Sequence, residues 1–318
     1  MTKRMITLLP LVIRHCPKLH ELSLSFHTNM NVNILLNPPS IPQELEAIFS
    51  IPHSKTFIQA SSTISYNDIP LPPIQALRIS CTVSQSSLPK KLIQLWPGIR
   101  HLVVSGQALQ ELCLNPRPSA SDLETSLDVK LYEFQTGRSI SKTARVTAQT
   151  FRASLKNSIG TLKILDLNGI SDSVIEHSEQ LFVEHGPYLR SLRLPTIAPD
   201  IKLPFLKHCT ELEEFIINGY PPGAVIVSCP VAKIRHASFT TLANQAEVSI
   251  GPALTWLKTF PTLSVLSWST RRVPDSVRRN QIMAVLDHFC IKHNVRIRTT
   301  LDSEIEVGNE PSLQSDPV

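Results

Sequence analysis

The side chains with the plainest chemical potential crowd near the C-terminus. Between positions 271 and 298, Arg271, Arg272, Arg278, Arg279, Lys292, Arg296 and Arg298 are opposed only by Asp275 and Asp287, a local charge of +5. Such a patch can contact phosphates or an acidic partner. Arg271, Arg272, Arg278 and Arg279 are its candidate anion-binding residues. Reading bases needs aromatics interleaved with the cations, and only Phe289 lies in this stretch. The solvated face of a capping helix, paired with the acidic residues that follow, is therefore favoured over a nucleic-acid or lipid surface.

Nucleophiles and metal ligands show no recognisable spacing. There is no G-x-S-x-G elbow and no H-E-x-x-H. The run Gly137-Arg138-Ser139-Ile140-Ser141-Lys142-Thr143 ends like a phosphate loop but lacks the second glycine and its spacing. The closest of the six cysteines, Cys209 and Cys229, are too far apart for the short ligand pairs that zinc needs. His15 and His208 each precede a cysteine in equivalent contexts, which marks them as recurring structural positions. Nothing along the chain predicts that Ser, His and Asp residues meet in a triad. The expectation is a protein without catalytic, cofactor or metal sites, and not an enzyme.

These residues sit in a chain of 318 amino acids, 42% hydrophobic and 18% charged, a balance that excludes wholesale disorder. Length alone suggests two domains. Prolines number 25 and glycines 10, more and fewer than usual. The net charge of +5 is uneven, because Asp302, Glu304, Glu306, Glu310 and Asp316 occupy a tail with no Lys or Arg. Residues 302–318 are read as an acidic, disordered tail. No asparagine lies in an N-x-Ser/Thr sequon, and the cysteines read as free, mostly buried thiols of a reducing compartment, cytoplasmic or nuclear. Met1–Ile13 resembles a weak signal peptide, but Pro10 interrupts it and no small-x-small cleavage site follows. No run is long enough to span a membrane.

What must position the polar residues is a repeat. The pattern apolar-x-x-apolar-x-apolar starts at Leu19, Ile74, Ile99, Val129, Leu162, Leu189, Leu212, Ile234 and Leu263. From Ile74 onward the spacing varies from 22 to 33 residues, around the 20–29 of leucine-rich repeats. The gap before Ile74 is two periods long and predicts an irregular unit at about 37–67. Proline stands two residues before the first anchor at Pro17, Pro72, Pro97, Pro187 and Pro261, where it ends a helix and opens an extended segment. Helical periodicity falls between the anchors, at Thr147–Asn157, Ser173–Glu184, Pro252–Thr259 and Asp275–His293. Strand, helix and parallel strand form a right-handed unit, and stacked units form a solenoid. This replaces two domains by one α/β leucine-rich-repeat solenoid over 1–301. It is expected to be curved, with parallel strands on the concave face, helices outside and a capping helix at about 275–293.

The chain resembles leucine-rich repeat proteins of the ribonuclease-inhibitor-like kind. The phrases HCPKLHEL and LWPGIRHL and the uneven period are similar to fungal F-box-associated repeat proteins. The resemblance spans about Met5–Leu301. It implies substrate recognition for an SCF-type ubiquitin ligase, with Skp1 as a partner if an F-box precedes the repeats. Ile41–Phe49 looks like the opening of an F-box, but it follows a repeat and lacks helical continuation, so an irregular repeat is the favoured reading there. An F-box or polar cap is expected upstream of Met1.

Alternation along a strand turns the residues between the anchors to one face. Arg78, Glu133, Asp166 and Arg193 fall between the last two anchors, and Asn168 and Asn218 follow the last. They are the candidate partner-binding residues of a monomeric protein-interaction scaffold; the alternative is a nucleic-acid or anionic-lipid module acting through the basic cap.

Overall fold

The computed structural model describes residues 16–26, 71–81, 88–113, 127–137, 146–197, 203–219, 233–241, 250–270, 273 and 275–298. The irregular unit at 37–67, the F-box-like stretch and the tail at 302–318 lie outside the described residues. The chain is α/β and divides into two compact units, one ending at Thr161 and the other beginning at Leu162.

The first unit carries β1 (Glu21–Phe26), β2 (Ala76–Cys81), β3 (His101–Gly106) and β4 (Glu133–Thr136), paired in chain order and all parallel. Helices α1 (Leu88–Leu95), α2 (Gln107–Cys113) and α3 (Ala148–Leu155) belong to it. The second unit carries β5 (Ile164–Asp166), β6 (Ser191–Leu194), β7 (Glu214–Ile217), β8 (His236–Thr240), β9 (Val265–Ser269) and β10 (Arg296–Arg298). These too are parallel and in chain order. Its helices are α4 (Asp172–Glu176), α5 (Glu179–His185), α6 (Gly251–Leu257) and α7 (Ser276–His293).

Eight of the nine copies of the pattern fall in register on their strands among β1–β9, and the fourth lies on β4 shifted by two residues. The second and third anchors pair with one another across the sheet, as Leu77 with Leu102 and Ile79 with Val104 in the first unit. In the second unit Leu192 pairs with Phe215 and Leu194 with Ile217. All eight of these residues are buried. Their burial on one side of each sheet is what the alternation of polar and apolar residues dictates, and it leaves the intervening side chains on the other.

The prolines act slightly differently from the expectation of a simple helix stop. The N–H groups of Leu19, Ile99, Leu189 and Leu263 donate to the carbonyls of Cys16, Trp96, Gly186 and Phe260, at 2.9, 3.1, 3.1 and 3.3 Å. Each bond closes a four-residue turn with proline at its second position, where its fixed φ is already correct. The turn delivers the chain to the strand, and the next carbonyl but one sets register. Gln75 O accepts from the N–H groups of both Arg100 and His101, and Arg190 O from those of both Glu213 and Glu214.

Two expectations are corrected, and one strand is added. The fourth copy begins at Leu131, not Val129: Leu102 pairs with Phe134 and Val104 with Thr136, and Leu131, Phe134 and Thr136 are all buried. Val129 is buried as well, and a two-residue slip keeps the same face, so periodicity alone cannot separate the alternatives. The single helix expected at Ser173–Glu184 is two, α4 and α5. Buried Ser178 lies at the break and donates its hydroxyl to Val174 O at 2.5 Å, a local bond that competes with helical continuation. Finally, Arg296–Arg298 is a strand. Asn294, at φ 55°, ends α7 in the left-handed conformation, and the chain turns directly into β10.

The helices bury their apolar sides. In the second unit Trp256 of α6 meets Phe215 edge-on at 6.0 Å and Phe260 at 4.8 Å, while Phe182 stacks on Phe205 at 3.9 Å. Among the described residues, no helix is long and apolar enough to cross a membrane.

Candidate functional site

The polar face of each unit is built column by column, because parallel strands in register place equivalent positions about 4.8 Å apart. In the first unit the column before the second anchor reads Glu21, Ala76, His101 and Glu133. His101 Nδ1 lies 2.9 Å from Glu133 Oε2, and Gln135 Nε2 donates to Glu133 Oε1 at 2.5 Å. Tyr132 covers the imidazole at 5.7 Å. Glu133 thus stands one column away from its expected place, a consequence of the corrected register. Arg78 is half-buried on β2 between Ser23 and Val103.

Position 137 becomes the residue after the last anchor of β4. A Cβ on Gly137 would stand 2.5 Å from that of Ser105, so glycine is what lets this edge of the face close.

The second unit gathers more. Its equivalent column reads Ile164, Ser191, Glu214, His236, Val265 and Arg296. Glu214 is the hub. Its Oε1 lies 2.9 Å from His236 Nδ1, and its Oε2 accepts from Ser191 Oγ at 2.5 Å and faces Arg193 Nη2 at 3.5 Å. The other nitrogen of His236, Nε2, lies 2.9 Å from Ser267 Oγ. Side-chain exposure is only 16% for Glu214, 17% for Arg193 and 19% for His236. Burial pushes the Glu214 carboxyl up, but hydrogen bonds from His236 and Ser191 and the Arg193 charge outweigh it and hold the group at about 2.

Asp166 is buried on β5, in register with Arg193, and its Oδ1 accepts from the Asn168 N–H at 2.9 Å. Asn218 donates to Asn168 Oδ1 at 2.7 Å, bridging from β7 to the end of β5. Four of the six expected face residues, Asp166, Asn168, Arg193 and Asn218, therefore share the polar side of the second unit. Arg78 and Glu133 belong to the first.

The basic cluster is divided. Arg271 and Arg272 lie outside the described residues. Arg278 and Arg279 are half-buried near the start of α7, with Arg278 Nη1 3.4 Å from Gln281 Oε1. Arg296 and Arg298 are exposed on β10, beside Val265 and Ser267.

Sequence reasoning missed Ser191, Glu214 and His236. The signal was present as a third column, one position before the second anchor, and was not read.

The fold and this face define an α/β protein of parallel strands with a hydrogen-bonded polar side. No known family model matches the chain, and no curated protein matches it significantly.

Proposed function

We propose that the protein is a leucine-rich repeat protein of the ribonuclease-inhibitor-like kind whose polar strand face binds a protein partner. In such repeats this face is concave and forms an extended binding surface. The observation that carries the reading is the register itself. In both units, neighbouring strands bring polar and charged side chains such as His101 and Glu133, or Ser191, Glu214 and His236, into register on one face, a surface varied enough to be specific and too polar to be core. By its resemblance the partner is a substrate delivered to an SCF-type ubiquitin ligase, with Skp1 a further partner only if an F-box precedes the repeats.

Two variants separate the parts of this reading. Arg78→Glu and Asn218→Lys each change the face of one unit without touching an anchor. A partner captured by wild type and lost by either variant at an unchanged circular dichroism spectrum supports the binding face. Failure to recover Skp1 both with this chain and with any N-terminally extended gene product overturns the adaptor role alone. Anion binding through the basic cap draws less support, because Arg278 and Arg279 are half-buried while Arg296 and Arg298 sit on a different element.

A further inference from the structure

We propose that Ser267, His236 and Glu214 form a nucleophile relay that takes an acyl group from a carboxylic ester on the polar face of the second unit. This goes beyond the binding role and does not depend on it. The three residues occupy adjacent parallel strands, β9, β8 and β7, and join end to end at 2.9 Å and 2.9 Å. The order of atoms is the one such chemistry requires. With Nδ1–H donated to the carboxylate, His236 holds its Nε2 lone pair toward the Ser267 hydroxyl, so the imidazole is oriented as a base. Each carboxylate oxygen is separately assigned, Oε1 to His236 and Oε2 to Ser191 and Arg193. That division fixes the carboxylate plane and with it the ring. Glu214, Ser191 and Arg193 are positioning residues; Ser267 and His236 would meet the substrate.

The first unit supplies an internal contrast. His101 and Glu133 make the same pair at 2.9 Å, but the position on β2 that answers to Ser267, two residues beyond the register partner of the histidine, is Arg78. A histidine–carboxylate pair alone is a way to satisfy polar groups on a strand face. In the second unit the hydroxyl is added on the far nitrogen.

In the reaction, Ser267 Oγ bonds to the ester carbonyl carbon and its proton passes to His236 Nε2. The C–O bond to the alcohol then breaks, and the departing oxygen takes that proton. Water attacks the acyl-serine by the same route, giving the acid and restoring the hydroxyl. β9 is paired on both edges, so its backbone N–H groups are engaged in the sheet. The cation in register with Ser267 is Arg298, and its guanidinium would be the group to answer a developing oxyanion. Ser267 is 8% exposed, with Ser238, Val265 and Arg298 around it, which suits a short acyl chain on a reactive ester.

The test is covalent. Native protein is treated with a fluorophosphonate probe and the labelled serines are mapped by mass spectrometry. Ser267 is expected to be labelled at least tenfold more than Ser238, its neighbour on the same face. Ser267→Ala removes that label. His236→Gln and Glu214→Gln, at unchanged circular dichroism, reduce it at least tenfold, while Glu214→Asp restores part of it. Labelling of Ser267 no greater than Ser238, or equal labelling in folded His236→Gln, overturns the proposal. The wild-type ratio needs no variant to fold.

Discussion

Glu214 shows how a single side chain on the strand face ties its neighbours to stability. Its folded carboxyl is held at about 2 against an ordinary 4.5. A depressed carboxylate stabilises the fold at every pH above its unfolded value, and that contribution drains as pH falls from about 4.5 toward 2. The size is on the order of 3 kcal/mol. Urea unfolding of wild type is expected to lose stability steadily across that window. Glu214→Gln should be less stable at pH 7 and nearly flat across the same window; an unchanged slope would show that other carboxylates carry the effect. The thiols respond in the opposite sense. Burial pushes Cys113 up to about 12 and, with the nearby Glu111 and Asp287 charges, Cys81 and Cys290 to about 11. Only the thiolate reacts, so of the five described cysteines exposed Cys16 alone should take up iodoacetamide at pH 8. Peptide mapping after brief exposure reads this directly.

At the scale of elements, the chain relies on local caps. Thr147 Oγ1 accepts from the Thr150 N–H at 3.2 Å, and Thr150 Oγ1 accepts from the Thr147 N–H at 3.1 Å. This reciprocal cap starts α3. Thr147→Ala should cost about 1 kcal/mol in urea unfolding, and Thr147→Ser close to nothing. Gly106, the last residue of β3 before α2, has φ 62°, and a Cβ there would meet Cys81 O at 2.5 Å. Gly106→Ala should therefore be more damaging than the loss of the α3 cap. Eight strands were legible in register because three apolar anchors repeat at each, and β4 was legible as a strand but misplaced by two residues, since its third anchor is Thr136. β10 was not, since Arg-Ile-Arg offers one apolar residue and reads as charge. The polar columns were half legible: alternation gives the face a residue occupies, but not which residue faces it from the next strand. The Glu214–His236 and His236–Ser267 contacts span 22 and 31 positions of sequence. They depend on two registers at once, and the slip at Val129 shows that one register can be misread by two residues without any change of face.

Over each whole unit, cohesion is a sum of neighbour contacts, because every strand pairs only with those adjacent to it in sequence. In a stack of this kind a local defect spreads to the next layer and weakens with distance. Leu192 is the sharpest probe. It is fully buried, and it pairs with Leu165 on one side and Phe215 on the other. Leu192→Ala leaves a cavity that should cost about 2–5 kcal/mol. Native-state hydrogen exchange should then show the largest loss of protection in β5, β6 and β7, a smaller loss in β8, and the least in β9 and β10. The aromatic cluster of Phe215, Trp256, Phe239 and Trp268 bridges β7 to β9 and limits how far the defect travels. An equal loss of protection in all six strands would mean that the unit unfolds as one cooperative block, and that the nearest-neighbour description fails for this chain.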